Sequence, residues 1–157
     1  CLLLAKALGI GDSDELKEIA LGGLLHDAGK QRIPSTIINK KGRLSEEERS
    51  VIQRHPEEGF ALLSDHDDLS RGQLMMVYQH HERVDGGGYP VGSSGKDIHF
   101  LARVCSVVDV FEALTSHRPY RGAIPVPEAL DYLDRQAGSA LDEEIVRCWK
   151  ATIETGS

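Results

Sequence analysis

Six side chains in four separate segments are of types that hold metal ions: His26, Asp27, His55, His80, His81 and Asp109. The first two are neighbours in Leu24-Leu25-His26-Asp27-Ala28-Gly29-Lys30. An adjacent imidazole and carboxylate offer one nitrogen and up to two bridging oxygens. Lys30 lies four residues after His26 and three after Asp27, so persistent helical geometry would return its ammonium to the same face. A lone His-Asp pair is most often a surface accident. Nitrogen and oxygen donors from several segments suit a site with more than one ion. His80 and His81, if helical, project about 100° apart and would not chelate one ion together. They would serve neighbouring ions, or one would support the other. Asp109 stands in the apolar run Val107-Val108-Asp109-Val110-Phe111. A buried carboxylate there needs a compensating charge, because burial without one costs several kcal/mol.

The elements that must position these groups read as helices. Residues 2–8 form the end of one, closed by Gly9, and Asp12 caps the next with Glu15 as its reciprocal partner. Leu16, Ile19, Ala20, Gly23 and Leu24 then recur at helical spacing. Gly22-Gly23 inside that helix is tolerable if a second helix approaches closely. Ser45 and Glu48 form a capping box, His55-Pro56 breaks that helix, and Pro56 opens another through Leu63. Residues 70–82 make a further helix that runs into His80-His81-Glu82-Arg83. Asp85-Gly86-Gly87-Gly88-Tyr89-Pro90 cannot be regular structure. Tyr89, flanked by glycine, is there free to meet a ligand. Residues 99–116 are the most hydrophobic helix, and helices at about 127–136 and 141–153 follow, with Trp149 in the core or docked on it. No alternating strand run is long enough for a sheet, so the fold class is all-α, a helical bundle.

Composition narrows the chemistry. The chain has 157 residues, 40% hydrophobic, which is enough for one domain with a real core. Cys1-Leu2-Leu3-Leu4-Ala5 is too short for a membrane span and lacks the marks of a signal peptide. Cys1, Cys105 and Cys148 are too widely spaced for a zinc site or a paired framework, which points to a reducing, cytoplasmic setting. A net charge of −7 disfavours nucleic acid and anionic membranes, so an anionic substrate must be drawn by a local positive site. Seven histidines against 18 lysines and arginines is a generous allotment for such a chain. His66 reads as solvated, and His99 and His117 as local polar groups.

Taken together, His26-Asp27-x-Gly29-Lys30, His55-Pro56-x-x-Gly59, His80-His81-Glu82-Arg83-x-Asp85-Gly86-x-Gly88-Tyr89-Pro90, Asp109-Val110-Phe111-x-Ala113-Leu114 and Arg118-Pro119-Tyr120-Arg121 resemble the HD-GYP family. These are bacterial HD-domain phosphohydrolases that act on cyclic di-GMP. The motifs keep their order over nearly the whole chain. The resemblance implies an HD-domain helical bundle with a Gly-rich GYP loop, residues 1–157 being a single HD-GYP domain cut at its N-terminus from a longer protein. It implies a metal-dependent phosphodiesterase yielding linear pGpG or GMP. Two or three divalent ions, iron or manganese before zinc or nickel, would be its cofactors.

Residue by residue, the resemblance makes Asp27 a bridge between two ions and pairs it with His26 and Asp109 at the first. His55 and His80 would complete the second, and His81 would serve the second or a third. Lys30 would face the scissile phosphate as a charge partner or proton donor. Tyr89, Arg118, Tyr120 and Arg121 would hold bases and phosphates. Glu112 stands where an aspartate is common, and would orient a water or a lysine beside the ligands. Gly87 and Val84 replace a serine and a tryptophan around the loop. A further metal-binding histidine would precede Cys1. The implied partners are cyclic di-GMP, a sensor or receiver domain in the full chain, and a diguanylate cyclase (GGDEF) protein. A sensor or docking module without turnover, and an HD hydrolase of another nucleotide, are the competing readings.

Overall fold

The computed structural model describes residues 1–117 and 122–156. The α-helices among them are α1 Leu2–Ala7, α2 Ser13–Leu25, α3 Ser35–Ile38, α4 Glu46–Ile52, α5 His55–Leu63, α6 Arg71–Gln79, α7 Phe100–Thr115, α8 Val126–Gln136 and α9 Glu143–Thr155. Short 3-10 turns cover Ala28–Arg32 and Gly95–Asp97. Among the described residues no strand forms beyond an isolated bridge between Ala137 and Leu141, so the all-helical expectation holds.

Local chemistry sets the helix starts. Asp12 accepts the Asp14 and Glu15 amides at 2.9 and 3.0 Å, so Glu15 contributes its N–H to the cap of α2. Ser45 and Glu48 form the expected reciprocal box on α4. A second box, Ser70 with Gln73, opens α6 and ties it to α2, because the Gln73 amide also donates to the Glu18 carbonyl. His99, read as a mere polar group, caps α7 by accepting the Leu101 amide at 3.3 Å. Asp142 caps α9 and also pairs with Arg103 of α7.

α7 runs through the middle and touches both core clusters. On one side Val104 and Val107 pack with Leu4, Leu130, Leu133, Ile145 and Trp149. Trp149 is buried and meets Phe111 edge-to-face at 5.3 Å, which places it in the core. On the other side Cys105 packs with Ala5, Ile19 and Met76, joining α1, α2 and α6.

Two close approaches bring the chemistry-bearing segments together. A Cβ on Gly22 would lie 2.4 Å from Met76 Sδ, so the glycine lets α6 press onto α2. A Cβ on Gly29 would lie 1.9 Å from the His55 carbonyl oxygen and 2.4 Å from the Gly59 nitrogen. The 3-10 turn after Asp27 thus lies backbone to backbone on the start of α5. That contact carries Asp27 and His55 to the same place.

Gly29→Ala therefore forces main chain apart, and overpacking of this kind typically costs about 1–3 kcal/mol. Chemical denaturation should show a loss of that order. Gly42→Ala, where a Cβ would meet nothing within 4 Å, serves as the control. Equal stability of the two variants would contradict the close-contact account.

Candidate metal centre

Each of three histidines is anchored by the same device. His26, at the C-cap of α2, has Nδ1 at 2.7 Å from the Gly23 carbonyl. His55, the first residue of α5, has Nδ1 at 2.8 Å from the Ile52 carbonyl. His80, at the C-cap of α6, has Nδ1 at 3.0 Å from the carbonyls of Met76 and Val77. A carbonyl only accepts, so Nδ1 carries the proton in each ring. Each neutral ring is left with an unshared lone pair on Nε2.

These lone pairs converge. His55 Nε2 and His80 Nε2 face each other at 3.2 Å, two acceptors with no proton between them while both rings are neutral. Burial lowers the pKa of both, and the surrounding histidines lower that of His80 further, so both are neutral near pH 7. His81 joins them, its pKa pushed by burial to about 4. The potential ligand atoms of His55, His80 and His81 lie within 4.8 Å of one another. His80 and His81 share this group despite the separation expected on a continuous helix: His80 caps α6 and His81 lies in the turn that follows.

Asp27 divides its oxygens between two sets of partners. Oδ1 lies 3.4 Å from His55 Nε2 and 3.8 Å from His80 Nε2. Oδ2 lies 3.4 Å from His26 Nε2 and 2.5 Å from Lys30 Nζ. The lysine returns through a 3-10 turn rather than a continued α-helix. Asp109 Oδ1 stands 3.8 Å from His26 Nε2, too far for a full hydrogen bond, and its charge also acts on His80 and His81. Burial pushes the His26 pKa down, yet Asp109 and Asp27 outweigh it and the net shift is upward. Burial pushes Asp109 up, but His26 and His81 carry it well below the usual carboxylate range.

This donor set fits metal ions. His26 Nε2 and Asp27 Oδ1 are buried without a hydrogen-bond partner, and orphaned acceptors of this kind are costly unless a cation meets them. His26, Asp27 and His80 form a second group able to hold an ion beside the His55-His80-His81 group.

Residues outside the ligand set support it. The Ser106 hydroxyl of α7 donates to the His80 carbonyl and fixes the end of α6 from behind. A serine between Cys105 and Val107 in the most apolar helix was the available signal for it. Glu112 lies one turn after Asp109, accepts the Ser116 hydroxyl at 2.7 Å, and lines a cleft of about 620 Å³ that reaches His26 and Asp27. Leu3 and Leu24 form an apolar lip on that cleft, and Leu24 is 81% exposed. Tyr89 is not free in its loop: it is half-buried, with its ring stacked on His81 at 4.8 Å and 27°. Burial, and then the charges of Asp109 and Asp27, raise its pKa and keep the hydroxyl protonated. Arg118, Tyr120 and Arg121 lie outside the described residues.

The model of the HD domain matches residues 1–145. The chain belongs to the HD-domain family. It is 42% identical over 146 residues to the cyclic di-GMP phosphodiesterase response regulator RpfG of Xanthomonas campestris, covering 92% of this chain and 38% of that protein. It is 40% identical to a cyclic di-GMP phosphodiesterase of Pseudomonas aeruginosa, covering 97% and 36%. A 3'3'-cGAMP-specific phosphodiesterase of Vibrio cholerae is 35% identical, covering 96% and 32%. Among solved structures, Bd1817, an HDG"Y"P protein from Bdellovibrio bacteriovorus, superposes with a TM-score of 0.79 at 26% identity. That match covers 96% of this chain and 48% of Bd1817. The chain thus spans about a third of the length of these curated relatives. No helix among the described residues is long and apolar enough to cross a membrane.

Two expectations follow for the HD domain. Asp27→Ala removes the two oxygens that face His26 on one side and His55 and His80 on the other, so elemental analysis should find most bound metal lost while circular dichroism keeps its helical signal. Full loading in that variant would contradict the shared-carboxylate geometry. The second concerns the metal-free protein. With the His55, His80 and His81 pKa values lowered, the unfolded chain takes up protons on these rings below about pH 6.5 while the folded chain resists. Their contribution is complete above that pH and is lost as pH falls toward about 4, with His26 opposing as one ring against three. The urea midpoint should drop between about pH 7.5 and about pH 5. A flat midpoint would contradict neutral buried rings.

Proposed function

We propose that this HD domain is the hydrolytic domain of a cyclic di-GMP phosphodiesterase, cleaving the diester to linear pGpG or on to GMP. The observation that carries the reading is Asp27, whose Oδ1 faces His55 and His80 while its Oδ2 faces His26 and Lys30. In this reading His26, Asp27 and Asp109 hold one ion, and Asp27, His55 and His80 hold another, with His81 at the second or a third. When bound, divalent ions supply the Lewis acidity that acidifies water and takes up phosphate charge. Iron or manganese suits the nitrogen and oxygen donors, and zinc or nickel is compatible with them.

The chain's own groups do the rest. Lys30 is about two-fifths exposed at the rim, and Asp27 Oδ2 holds its ammonium toward the site, where it faces the scissile phosphate and carries a proton for the leaving oxygen. Glu112 shares the cleft with Asp109 and orients polar groups beside it. Tyr89 offers a ring for a base, and Arg118, Tyr120 and Arg121 are assigned to phosphates and bases. A guanidinium matches a phosphodiester through two parallel hydrogen bonds. The likeness to the RpfG response regulator supports a receiver or sensor domain elsewhere in the full protein; a cytoplasmic location and a diguanylate cyclase as functional partner belong to the same proposed reading. A second substrate, the hybrid 3'3'-cGAMP, is favoured by the cGAMP-specific relatives at comparable identity.

The test is product analysis with metal-loaded, full-length protein given cyclic di-GMP and 3'3'-cGAMP separately. Cleavage of cyclic di-GMP is expected, and Lys30→Ala should retain metal while turnover falls on the order of 10²–10⁴-fold. Cleavage of the hybrid alone would reassign the substrate. Binding without any turnover would make the domain a sensor. Unchanged turnover in Lys30→Ala would remove the lysine from the reaction.

A further inference from the structure

The loop that follows the two histidines is organised by a single buried carboxylate. Glu82 is 3% exposed, a depth at which a carboxylate is costly unless hydrogen bonded. Its oxygens accept amides from the far end of the same loop, Val91 at 2.8 Å to Oε1 and Gly92 at 3.2 and 3.0 Å to Oε1 and Oε2. Between these ends the chain reverses at Gly86 and Gly92, both at positive φ (+79° and +78°). It then passes so close to its own start that a Cβ on Gly88 would lie 2.6 Å from Glu82 Cα.

The rest of the loop is tied down independently. The amides of Val84 and Asp85 donate to the Ala140 and Ser139 carbonyls, fixing the loop's base to the connection between α8 and α9. Asp85 accepts the Gly87 amide and pairs with Arg83 at 2.7 Å. The Tyr89 amide donates to the His81 carbonyl at 3.2 Å, and its ring lies over the His81 ring. Among the described residues, the hydrogen bonds of the Glu82 carboxylate run to Val91 and Gly92, and not to Asp27, Lys30 or any of the histidines.

We infer that Glu82 is the positioning residue of this loop. By clamping Val91 and Gly92 it holds Tyr89 as a fixed stacking surface beside His81, and so sets affinity for a base of the cyclic dinucleotide rather than the rate of bond cleavage. The inference rests on the proposed substrate only for that last step. The clamp itself is a property of the loop. Removing it leaves the Val91 and Gly92 amides without that acceptor and loosens the far end of the loop that carries Tyr89.

The experiment uses metal-loaded, full-length protein carrying Glu82→Ala, Glu82→Gln, Tyr89→Ala, or Glu82→Ala with Tyr89→Ala. Glu82→Ala should raise KM for cyclic di-GMP about ten-fold or more, the scale of a lost charged hydrogen bond, with kcat within about three-fold and metal content unchanged. Glu82→Gln, which keeps an acceptor oxygen, should fall between it and the unaltered protein. Hydrogen exchange at the Val91 and Gly92 amides should accelerate in step. In the Tyr89→Ala background, Glu82→Ala should add less than about two-fold, because both changes remove the same surface. Parallel loss of kcat and metal, independent multiplication of the two KM effects, or unchanged exchange at Val91 and Gly92 would each overturn the assignment. If the unaltered protein does not cleave cyclic di-GMP, the substrate reading fails on its own and the exchange measurement alone decides the clamp.

Discussion

Four carbonyl oxygens set the character of this molecule. Those of Gly23 and Ile52, and of Met76 and Val77 together, accept the Nδ1–H of His26, His55 and His80 and leave each Nε2 lone pair turned inward. The result is a partly buried space rimmed by acceptors, with Asp27 and Asp109 adding negative charge that Lys30 partly offsets. Such an arrangement is unfavourable by itself, since acceptors face one another where partial burial weakens screening by water. It becomes favourable when cations occupy the space between. The site is built as half of an interaction, and its helix ends exist to hold that half in place.

The bundle does this with unusually direct means. α2, α5 and α6 each present a histidine at or beside a terminus, where a carbonyl three or four residues back is within reach of the ring. Glycine then brings those termini together, Gly22 under α6 and Gly29 against α5. α7 completes the arrangement from the opposite side by contributing Asp109 from its face and Ser106 from its interior. The core behind it, centred on Val104, Val107 and Trp149, gives the carboxylate a rigid support. Stability and ligand geometry therefore share the same contacts, and a change that loosens α7 is felt at both.

Much of this was legible in the sequence because helix signals are local. Asp12, Ser45 and the density of apolar residues in α7 act within one or two turns, and the helices fall close to where those residues place them. The donor set was legible for a different reason: a carboxylate inside an apolar helix, and imidazoles beside glycine and proline, are hard to explain as packing. What local pattern could not supply was the third dimension. The end of α6 at Gln79 lets His80 and His81 act together, and no propensity marks that stop. The stacking of Tyr89 on His81 sits in a loop closed by bonds that Glu82 accepts from residues nine and ten further on, which no periodicity encodes. The second capping box at Ser70 and the cap from His99 were readable in principle, but their residue types compete with many other roles.

The central claim is that Asp27 lies between two adjacent ions. Electron paramagnetic resonance of the full-length protein loaded with Mn(II) tests it most directly, because ions bridged by one carboxylate are magnetically coupled and isolated ions are not. The account predicts a spectrum dominated by exchange-coupled manganese at saturating metal, which Asp27→Ala abolishes. A spectrum of isolated, uncoupled manganese at full loading would contradict it.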